Sequence, residues 1–300
     1  MNHKHSGKHK DSKTSQRDGR HASGDEIRQF IGIVALVVIA LGVGALILFP
    51  SLRPGYVKKS DASSGSRQKV FVLAAASLNG VLSEAVSSYA SVDSTTDIQL
   101  SCASSNLLRH QIERGAPVDL YLSAAPEHVD ALVDHGWVKP ENRYKLWTTE
   151  LALVAPPGFT AHEGLKDLLL DAARIAIGDV GVPVGDYARQ SLANMGLQED
   201  LKDRLIPMAD EPAVRAAVAS GACDLGFAYL AAAHAGNADK QVTIIGTISE
   251  RTHAPILYVG AILNDAEHPE KARRFLEFLR NGKGREIMEN AGFEATAEMH

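Results

Sequence analysis

Two serines stand where a helix is expected to begin just after a buried strand. Ser77 follows the apolar run VFVLAAA, and Ser105 follows the strand-like run TDIQLSCA. A helix start carries backbone N–H groups without intrahelical partners and about half a positive charge, so it attracts anions. Each serine hydroxyl adds one more donor. Because serine also caps helices for structural reasons, neither position alone is strong evidence of a site.

The second half of the chain offers further donors of the same kind. GDVGVPVGDY and DEPAVRAAV each predict a loop that leads into a helix, and LGFAY ends a strand at the Tyr229 hydroxyl. Three acidic residues beside these loops, Asp179, Asp186 and Glu211, are interpreted as cap and turn residues and not as general acids or bases. Together with the two serines, these turns favour an anion site.

Two arginines lie near these segments. Arg109 is one helical turn past Ser105, and Arg215 directly follows Val214. Either arginine could raise the local potential, but an exposed arginine on an amphipathic helix is more often a solvated surface group.

The elements that must position these residues begin at Gln68. From there, short apolar runs alternate with amphipathic stretches, which is typical of parallel strands covered by helices. After the segment TTELALVAPPG a fresh series of such units begins. We therefore predict an α/β fold with two lobes, formed by residues 68–148 with 250–300 (lobe 1) and 149–249 (lobe 2).

The two crossings between these lobes would form a hinge. They fall near residues 148–150 and 247–252, and a cleft between lobes is a common place for a ligand. After the second crossing, the pattern predicts one strand, ILYVGAIL, and one long final helix, PEKARRFLEFLRNGKGREIMENAG.

The first 67 residues differ from the rest. Residues 1–28 are polar and rich in Lys, Arg and His, so we expect a disordered tail. Residues 30–49 are all apolar or glycine and would span roughly 30 Å as a helix, which predicts a transmembrane signal anchor over residues 29–50. The absence of an Ala-x-Ala cleavage pattern favours this anchor over a cleaved signal peptide. Residues 51–67 have the composition of a flexible linker.

Composition argues against other classes. The 300 residues carry a formal net charge of -5 and are 45% hydrophobic, so the chain lacks the basic character of nucleic-acid binders. Cys102 and Cys223 are too far apart for a CxxC motif. They are either small buried apolar residues or a disulfide formed outside the cell.

Over residues 68–296 the sequence resembles the periplasmic molybdate-binding proteins of ABC uptake systems, which have the type II periplasmic-binding-protein fold. The segments that carry the resemblance are VFVLAAASL, SCASSNLLRHQIERGAPVDLYLSA, IAIGDVGVPVGDYARQSL, EPAVRAAV, DLGFAY and EFLRNGKGREIMENAGF. The resemblance implies an extracytoplasmic protein that captures molybdate, or the closely similar tungstate, between two lobes. It implies an ABC permease and its ATPase subunit as partners.

The resemblance also implies a site of neutral donors without cofactor, catalytic residue or direct metal ligand. Ser77 and Ser105 would each offer a hydroxyl and an N–H, Val184 and Val214 a backbone N–H, and Tyr229 its hydroxyl. Such a site suits a fully deprotonated dianion. Hydrogenphosphate would bring an O–H for which the pocket lacks an acceptor. Sulfate would be too small to reach donors on both lobes.

An enzyme is the alternative of a different class. It would use Ser77 or Ser105 as nucleophile with His110, His128 or His253 as base. The sequence has no G-x-S-x-G elbow, which disfavours this interpretation.

Two further alternatives keep the same fold: a binding protein for another anion such as sulfate or an organic acid, and a membrane-tethered oxyanion sensor. In each case we expect a monomer at the cell membrane, with a single membrane pass. Lys and Arg are similarly frequent on both flanks of the apolar run and do not fix its orientation. We place the binding domain on the extracytoplasmic side because it resembles a scavenger of external solutes.

Overall fold

The computed structural model describes residues 67–162, 164–234 and 242–296. The predicted tail (1–28) and anchor (29–50), and all of the linker except Arg67, lie outside the described residues. Within the described ranges, no helix is long and apolar enough to cross a membrane.

The strands alternate with helices for most of the chain. The strands are β1 (Gln68–Ala75), β2 (Thr96–Ala103), β3 (Leu120–Ser123), β4 (Arg143–Thr148), β5 (Leu151–Ala155), β6 (Ile175–Gly178), β7 (Leu205–Met208), β8 (Leu225–Tyr229), β9 (Thr243–Thr247), β10 (Leu257–Ile262) and β11 (Glu294–Ala295). The helices are α1 (Asn79–Tyr89), α2 (Ser105–Glu113), α3 (Pro126–Asp134), α4 (Leu165–Asp171), α5 (Pro183–Asn194), α6 (Gln198–Leu201), α7 (Glu211–Ala219), α8 (Leu230–His234), α9 (Pro269–Arg280) and α10 (Gly282–Asn290).

These strands form two sheets, so the prediction of a two-lobed α/β fold is confirmed. The first sheet has the order β11-β4-β10-β3-β1-β2, and the second has the order β7-β6-β8-β5-β9. The chain passes from the first sheet to the second between β4 and β5, and it returns between β9 and β10.

The expectation of parallel strands is wrong for the strands next to the crossings. In the first sheet β1 runs parallel to β2 and β3, but β10 is antiparallel to β3 and β4. In the second, β6 runs parallel to β7 and β8, whereas β5 is antiparallel to β8 and β9. The reason is geometric. A strand that has just crossed between lobes starts at the cleft and runs away from it, whereas β1, β2, β6 and β8 end there.

Helix α1 is one of the elements that the apolar pattern predicted well. Val81, Leu82, Ala85 and Tyr89 are buried on one face. The ring of Tyr89 lies 5.1 Å from the rings of both Phe275 and Phe278, measured between centroids. Helices α1 and α9 of lobe 1 are therefore joined through an aromatic cluster, which adds to the hydrophobic burial.

The predicted final helix is broken in two. Helix α9 ends at Arg280, and α10 begins at Gly282 after Asn281, whose backbone is extended. Gly282 has a φ of 51°, a conformation that glycine adopts without steric cost. The continuous amphipathic pattern hid this break.

One buried carboxylate ties the first sheet to its covering helix. Asp119 precedes β3 and accepts hydrogen bonds from the backbone N–H of Phe71 in β1 (2.8 Å) and of His268 before α9 (2.7 Å). The carboxylate thus satisfies two backbone donors that would otherwise be unpaired in a buried region.

Candidate functional site

A small cavity of about 10 Å³ lies where the two lobes meet. We call it the cleft cavity. It is lined from lobe 1 by Ala75, Ala76, Ser77, Ser104, Ser105 and Ala124, and from lobe 2 by Val182, Pro183, Val184, Asp210, Glu211 and Tyr229. Four of the five residues predicted to bind an anion are in this lining.

Ser77 reaches the cavity from the end of β1. It lies in a short 3-10 turn, Ala76–Leu78, and does not cap α1 as its position suggested. Its Oγ instead lies 2.8 Å from the hydroxyl oxygen of Tyr258 in β10, and either group can donate. Ser77 is therefore held by a partner on β10, which is separated from β1 by β3 in the same sheet.

Ser105 is the first residue of α2 and is only 1% exposed. Its Oγ accepts a hydrogen bond from the backbone N–H of Ala124 (3.0 Å), and its carbonyl accepts one from the Tyr121 hydroxyl (2.7 Å). Because its oxygen is the acceptor in the bond to Ala124, the hydroxyl hydrogen of Ser105 stays available to a ligand. The N–H groups of the first helical turn have no intrahelical partner either.

Val184 is the second residue of α5, directly after Pro183. The next two N–H groups, those of Gly185 and Asp186, donate to the carbonyl of Val182. A residue at this position has no intrahelical acceptor for its own N–H. The start of α5 can therefore present one backbone donor to the cleft cavity, as predicted for Val184.

Tyr229 ends β8 and is 1% exposed. Its hydroxyl oxygen is buried and has no hydrogen-bond partner among the described residues. Burial raises its pKa well above the ordinary range, so the group stays a neutral phenol that can donate. A buried hydroxyl without a partner is costly, and this one lines the cleft cavity, where a ligand could accept its hydrogen bond.

Val214 differs from the expectation. It is the fourth residue of α7, and its N–H donates to the carbonyl of Asp210 (3.2 Å) within the helix. Asp210 caps the helix, since its side chain accepts from the N–H of Ala213 (2.9 Å). Pro212 has no N–H to offer. The helix starts before Val214, so this residue is a buried core residue of lobe 2, and its N–H is occupied within the helix.

Glu211 is the main feature of the site that sequence reasoning missed. It was interpreted as a cap or turn residue, but it is 3% exposed and lines the cleft cavity. Its Oε1 accepts from Nε of Arg215 (2.7 Å), while Oε2 is buried without a partner among the described residues. Burial raises its pKa above the ordinary range, and the charge of Arg215 opposes the rise. Its spacing of three and seven residues from the buried Val214 and Val218 was the available signal.

The remaining candidates lie outside the cleft cavity. Asp179 and Asp186 accept from the N–H groups of Val180 (2.7 Å) and Gly181 (3.1 Å), which confirms them as turn residues. Arg109 pairs with Glu113 on its own helix.

The two cysteines are free thiols, and burial raises the pKa of Cys102 to about 11. The described part of the chain has no cluster of His, Cys, Asp and Glu suited to a metal ion.

Known proteins share this architecture. The family model described as "Bacterial extracellular solute-binding protein" matches residues 70–294. YvgL of Bacillus subtilis, whose name assigns it provisionally as an ABC transporter substrate-binding lipoprotein, is 30% identical over 84% of this chain and 96% of its own. Molybdate-binding protein ModA of Escherichia coli is 30% identical over 75% of this chain and 88% of its own. The solved periplasmic molybdate-binding protein of Azotobacter vinelandii superposes with a TM-score of 0.67 and 25% identity, covering 75% of this chain and 98% of that protein. This chain therefore belongs to the family of bacterial extracellular solute-binding proteins.

Proposed function

We propose that this protein captures molybdate, or the similar tungstate, outside the cell and delivers it to an ABC transporter. The observation that carries the proposal is the convergence of Ser77, Ser105, Val184 and Tyr229 on one cavity between two lobes. Relatives named for molybdate binding and for ABC transport support the ligand and the partners, which would be a permease and its ATPase subunit.

The donors suit a tetrahedral dianion. Two hydroxyls from lobe 1, and one hydroxyl and one backbone N–H from lobe 2, would approach the ligand from opposite sides. Hydrogen bonds to an ionised acceptor are stronger than neutral ones, and a closed cavity strengthens them further. A ligand held from both lobes would stabilise the closed arrangement.

The size of the cavity implies movement. A volume of about 10 Å³ corresponds to roughly one water-sized sphere. A tetrahedral oxyanion is larger, so it can enter only if the lobes first separate. The crossings between Thr148 and Leu151, and between Thr247 and Leu257, are the segments about which such opening would occur.

The proposal includes anchoring through residues 30–49, with the binding domain on the extracytoplasmic side. Those residues lie outside the described part of the structure, and support for the anchor comes from their apolar composition alone. A tether of this kind would keep the domain near a membrane-bound permease.

An enzyme finds no support in the contacts of the two serines. Ser77 Oγ contacts Tyr258, and Ser105 Oγ accepts from Ala124. Nδ1 of His253 bonds instead to the carbonyl of Ala254 (2.7 Å). Since no histidine contacts either serine in the described structure, we propose binding without catalysis.

Delivery is tested in the cell that makes the protein. Deleting the gene should lower cellular molybdenum, measured by mass spectrometry, when molybdate is limiting, and the full chain should restore it. A version lacking residues 30–49 but exported by a cleavable signal should restore less if the anchor matters. Unchanged molybdenum content after deletion, with no other importer present, would overturn the proposal.

A further inference from the structure

We propose that Glu211 shares one proton with the bound oxyanion, so that the cleft cavity takes up its ligand together with a proton. The proton lies between Oε2 of Glu211 and a ligand oxygen. This inference rests on the proposed oxyanion-binding function and adds a proton-dependent contact to it.

The carboxyl group of Glu211 has one oxygen that is placed to contact a ligand. Glu211 begins α7, lines the cleft cavity and is almost completely buried. Oε1 is occupied by Nε of Arg215 at 2.7 Å, but Oε2 is buried with no partner among the described residues. The Tyr229 hydroxyl, another cavity-lining group, is likewise buried and unpaired. Buried polar atoms are almost always paired in folded proteins, so these two cavity-lining atoms are suited to contact a ligand in the cleft cavity.

The negative charges of the Glu211 carboxylate and the bound dianion also favour a shared proton. An ionised carboxylate beside a dianion in a closed cavity would be repelled, because like charges in a poorly solvated space interact strongly. One proton between them removes the conflict and turns the contact into a short hydrogen bond to an anion. If the carboxyl carries the proton, Oε2 donates. If the ligand carries it, Oε2 accepts. The complex holds one proton in either case.

The surroundings of Glu211 leave few other groups to take up this proton. The strands against which α7 packs, β5 to β8, carry no ionisable side chain except Tyr229. On its own helix Glu211 faces Arg215, which offsets one negative charge, and the helix cap Asp210, whose charge adds to its own. From β8, the backbone N–H of Tyr229 also acts on the carboxyl group and lowers its pKa, though less than Arg215 does. Asp210 already accepts from Ala213.

Other ionisable groups affect the Tyr229 hydroxyl as Glu211 does. They are Tyr258 and Glu127, which lie in lobe 1 across the cleft, and Tyr187, which lies in α5 of lobe 2. Burial raises the pKa of each of these groups, which supports a cavity in which charge is disfavoured unless it is compensated.

The proposal changes the expected selectivity. A pocket of donors only would reject an oxyanion that carries a proton, because its O–H would find no acceptor. Oε2 of ionised Glu211 supplies that acceptor. The lack of an acceptor therefore does not exclude a monoprotonated tetrahedral oxyanion. Discrimination among oxyanions must depend on their size and on the pH.

Titration calorimetry of the full chain in detergent tests the proposal with molybdate, which carries no proton near neutral pH. The affinity should fall by up to about tenfold per pH unit once the pH exceeds the pKa of free Glu211, measured from about pH 6 to about pH 9. Above that pKa, titrations in buffers with different ionisation heats should report uptake of about one proton per ligand.

Glu211→Gln keeps a neutral donor and should bind with a flat pH profile and no proton uptake. Glu289→Gln is the matched control, because Glu289 accepts from Nε of Arg285 at the same 2.7 Å and the same helical spacing but on the exposed face of α10. It should behave like the unaltered protein. Circular dichroism checks that both variants fold.

The outcomes are distinguishable. Tight binding with a flat pH profile and no proton uptake in the unaltered protein would overturn the role of Glu211 and leave the proposed function standing. Persistent proton uptake in Glu211→Gln would also overturn it. No binding of molybdate, tungstate or sulfate at any pH would overturn both.

Discussion

At the residue scale, the buried hydroxyl of Tyr229 should contribute to ligand binding but not to the stability of the fold. This group has no partner among the described residues, so it contributes little to the fold and would contribute to a complex. Ser77 and Ser105 differ, because their hydroxyls already bond to Tyr258 and to Ala124.

Tyr229→Phe should therefore weaken molybdate binding without destabilising the protein. Loss of one hydrogen bond to an anion costs about 1.5–3 kcal/mol, or between about tenfold and a hundredfold in affinity. Calorimetry gives the affinity and a thermal melt gives the stability. Tyr144→Phe is the control, since its hydroxyl bonds to Arg273 outside the cleft cavity. A Tyr229→Phe variant that binds normally would exclude this hydroxyl from the site.

Ser105→Ala should lower both binding and stability. The variant loses a donor to the ligand and leaves the buried N–H of Ala124 without its acceptor. An unpaired buried group costs about 1–3 kcal/mol, which denaturant unfolding can measure. If stability is unchanged while binding falls, the bond to Ala124 contributes nothing to the fold.

The sequence could predict part of this site. Ser77 and Ser105 were predictable because each closely follows a strand and lies near a helix start, and Tyr229 because it ends a strand. Val184 followed from the resemblance to molybdate-binding proteins. Glu211 was not predictable, because the burial of one carboxylate oxygen depends on packing that only the folded chain defines. Val214 lies outside the lining of the cleft cavity, since the helix start is set by the Asp210 cap.

At the element scale, one turn shows how a side chain can fix the connection between a helix and a strand. Asp93 lies between α1 and β2, where it accepts hydrogen bonds from the N–H and the hydroxyl of Thr95 (2.9 and 2.6 Å) and from the hydroxyl of Thr96 (2.6 Å). Lys271 of α9 lies 3.4 Å away. The hydroxyl of Thr95 is the largest of the causes that hold the pKa of Asp93 well below its usual range.

Asp93→Asn should destabilise the protein at neutral pH by about 1–3 kcal/mol. Because the pKa is lowered on folding, the contribution of Asp93 is present above the ordinary aspartate pKa of about 3.9 and is lost as the pH falls toward the folded value. Denaturant unfolding from pH 7 downward should show the difference between the two proteins shrinking. The control variant Asp200→Asn, at an exposed position, should leave the free energy of unfolding unchanged. A pH-independent difference would contradict the role of the charge.

The positions of helices and strands along the sequence were more predictable than the directions of the strands in the two sheets. The apolar spacing predicted α1 and the strand β2 because these depend on local periodicity. The reversed directions of β5 and β10 follow from the two crossings and leave no mark in the local pattern. The break at Gly282 was hidden because apolar positions continue on both sides of it.

At the scale of the whole molecule, the two lobes meet closely at one glycine. A Cβ atom built on Gly181, in lobe 2, would lie 2.9 Å from Nδ2 of Asn106, in α2 of lobe 1. That distance is too short for an ordinary contact. Gly181 also has a φ of 80°, which other residues rarely adopt.

Gly181→Ala should strain the backbone and force the Asn106 side chain to shift, so we expect weaker ligand binding. Gly221→Ala is the matched control, because Gly221 has a φ of 73° but nothing within 4 Å of the added Cβ. Adding Asn106→Ala to Gly181→Ala should recover part of the affinity. Equal effects of the two glycine substitutions on binding would show that the cost is backbone strain alone and not contact between lobes.

Two lobes could be predicted because the pattern of units restarts after β4. The close contact between the lobes could not be predicted, since it depends on distances between residues far apart in sequence. Ligand-driven closure should appear in small-angle scattering as a smaller radius of gyration with molybdate than without it. An unchanged radius would mean that the lobes are already closed without ligand.

The cleft cavity is proposed to bind a tetrahedral oxyanion and to select it by size. Calorimetric titration of the purified protein with molybdate, tungstate and sulfate at one pH measures both properties. We expect one-to-one binding of molybdate and tungstate, weak or absent binding of sulfate, and loss of affinity in Tyr229→Phe. No binding of any of the three anions would contradict the proposed oxyanion site, and equal binding of sulfate would contradict selection by size.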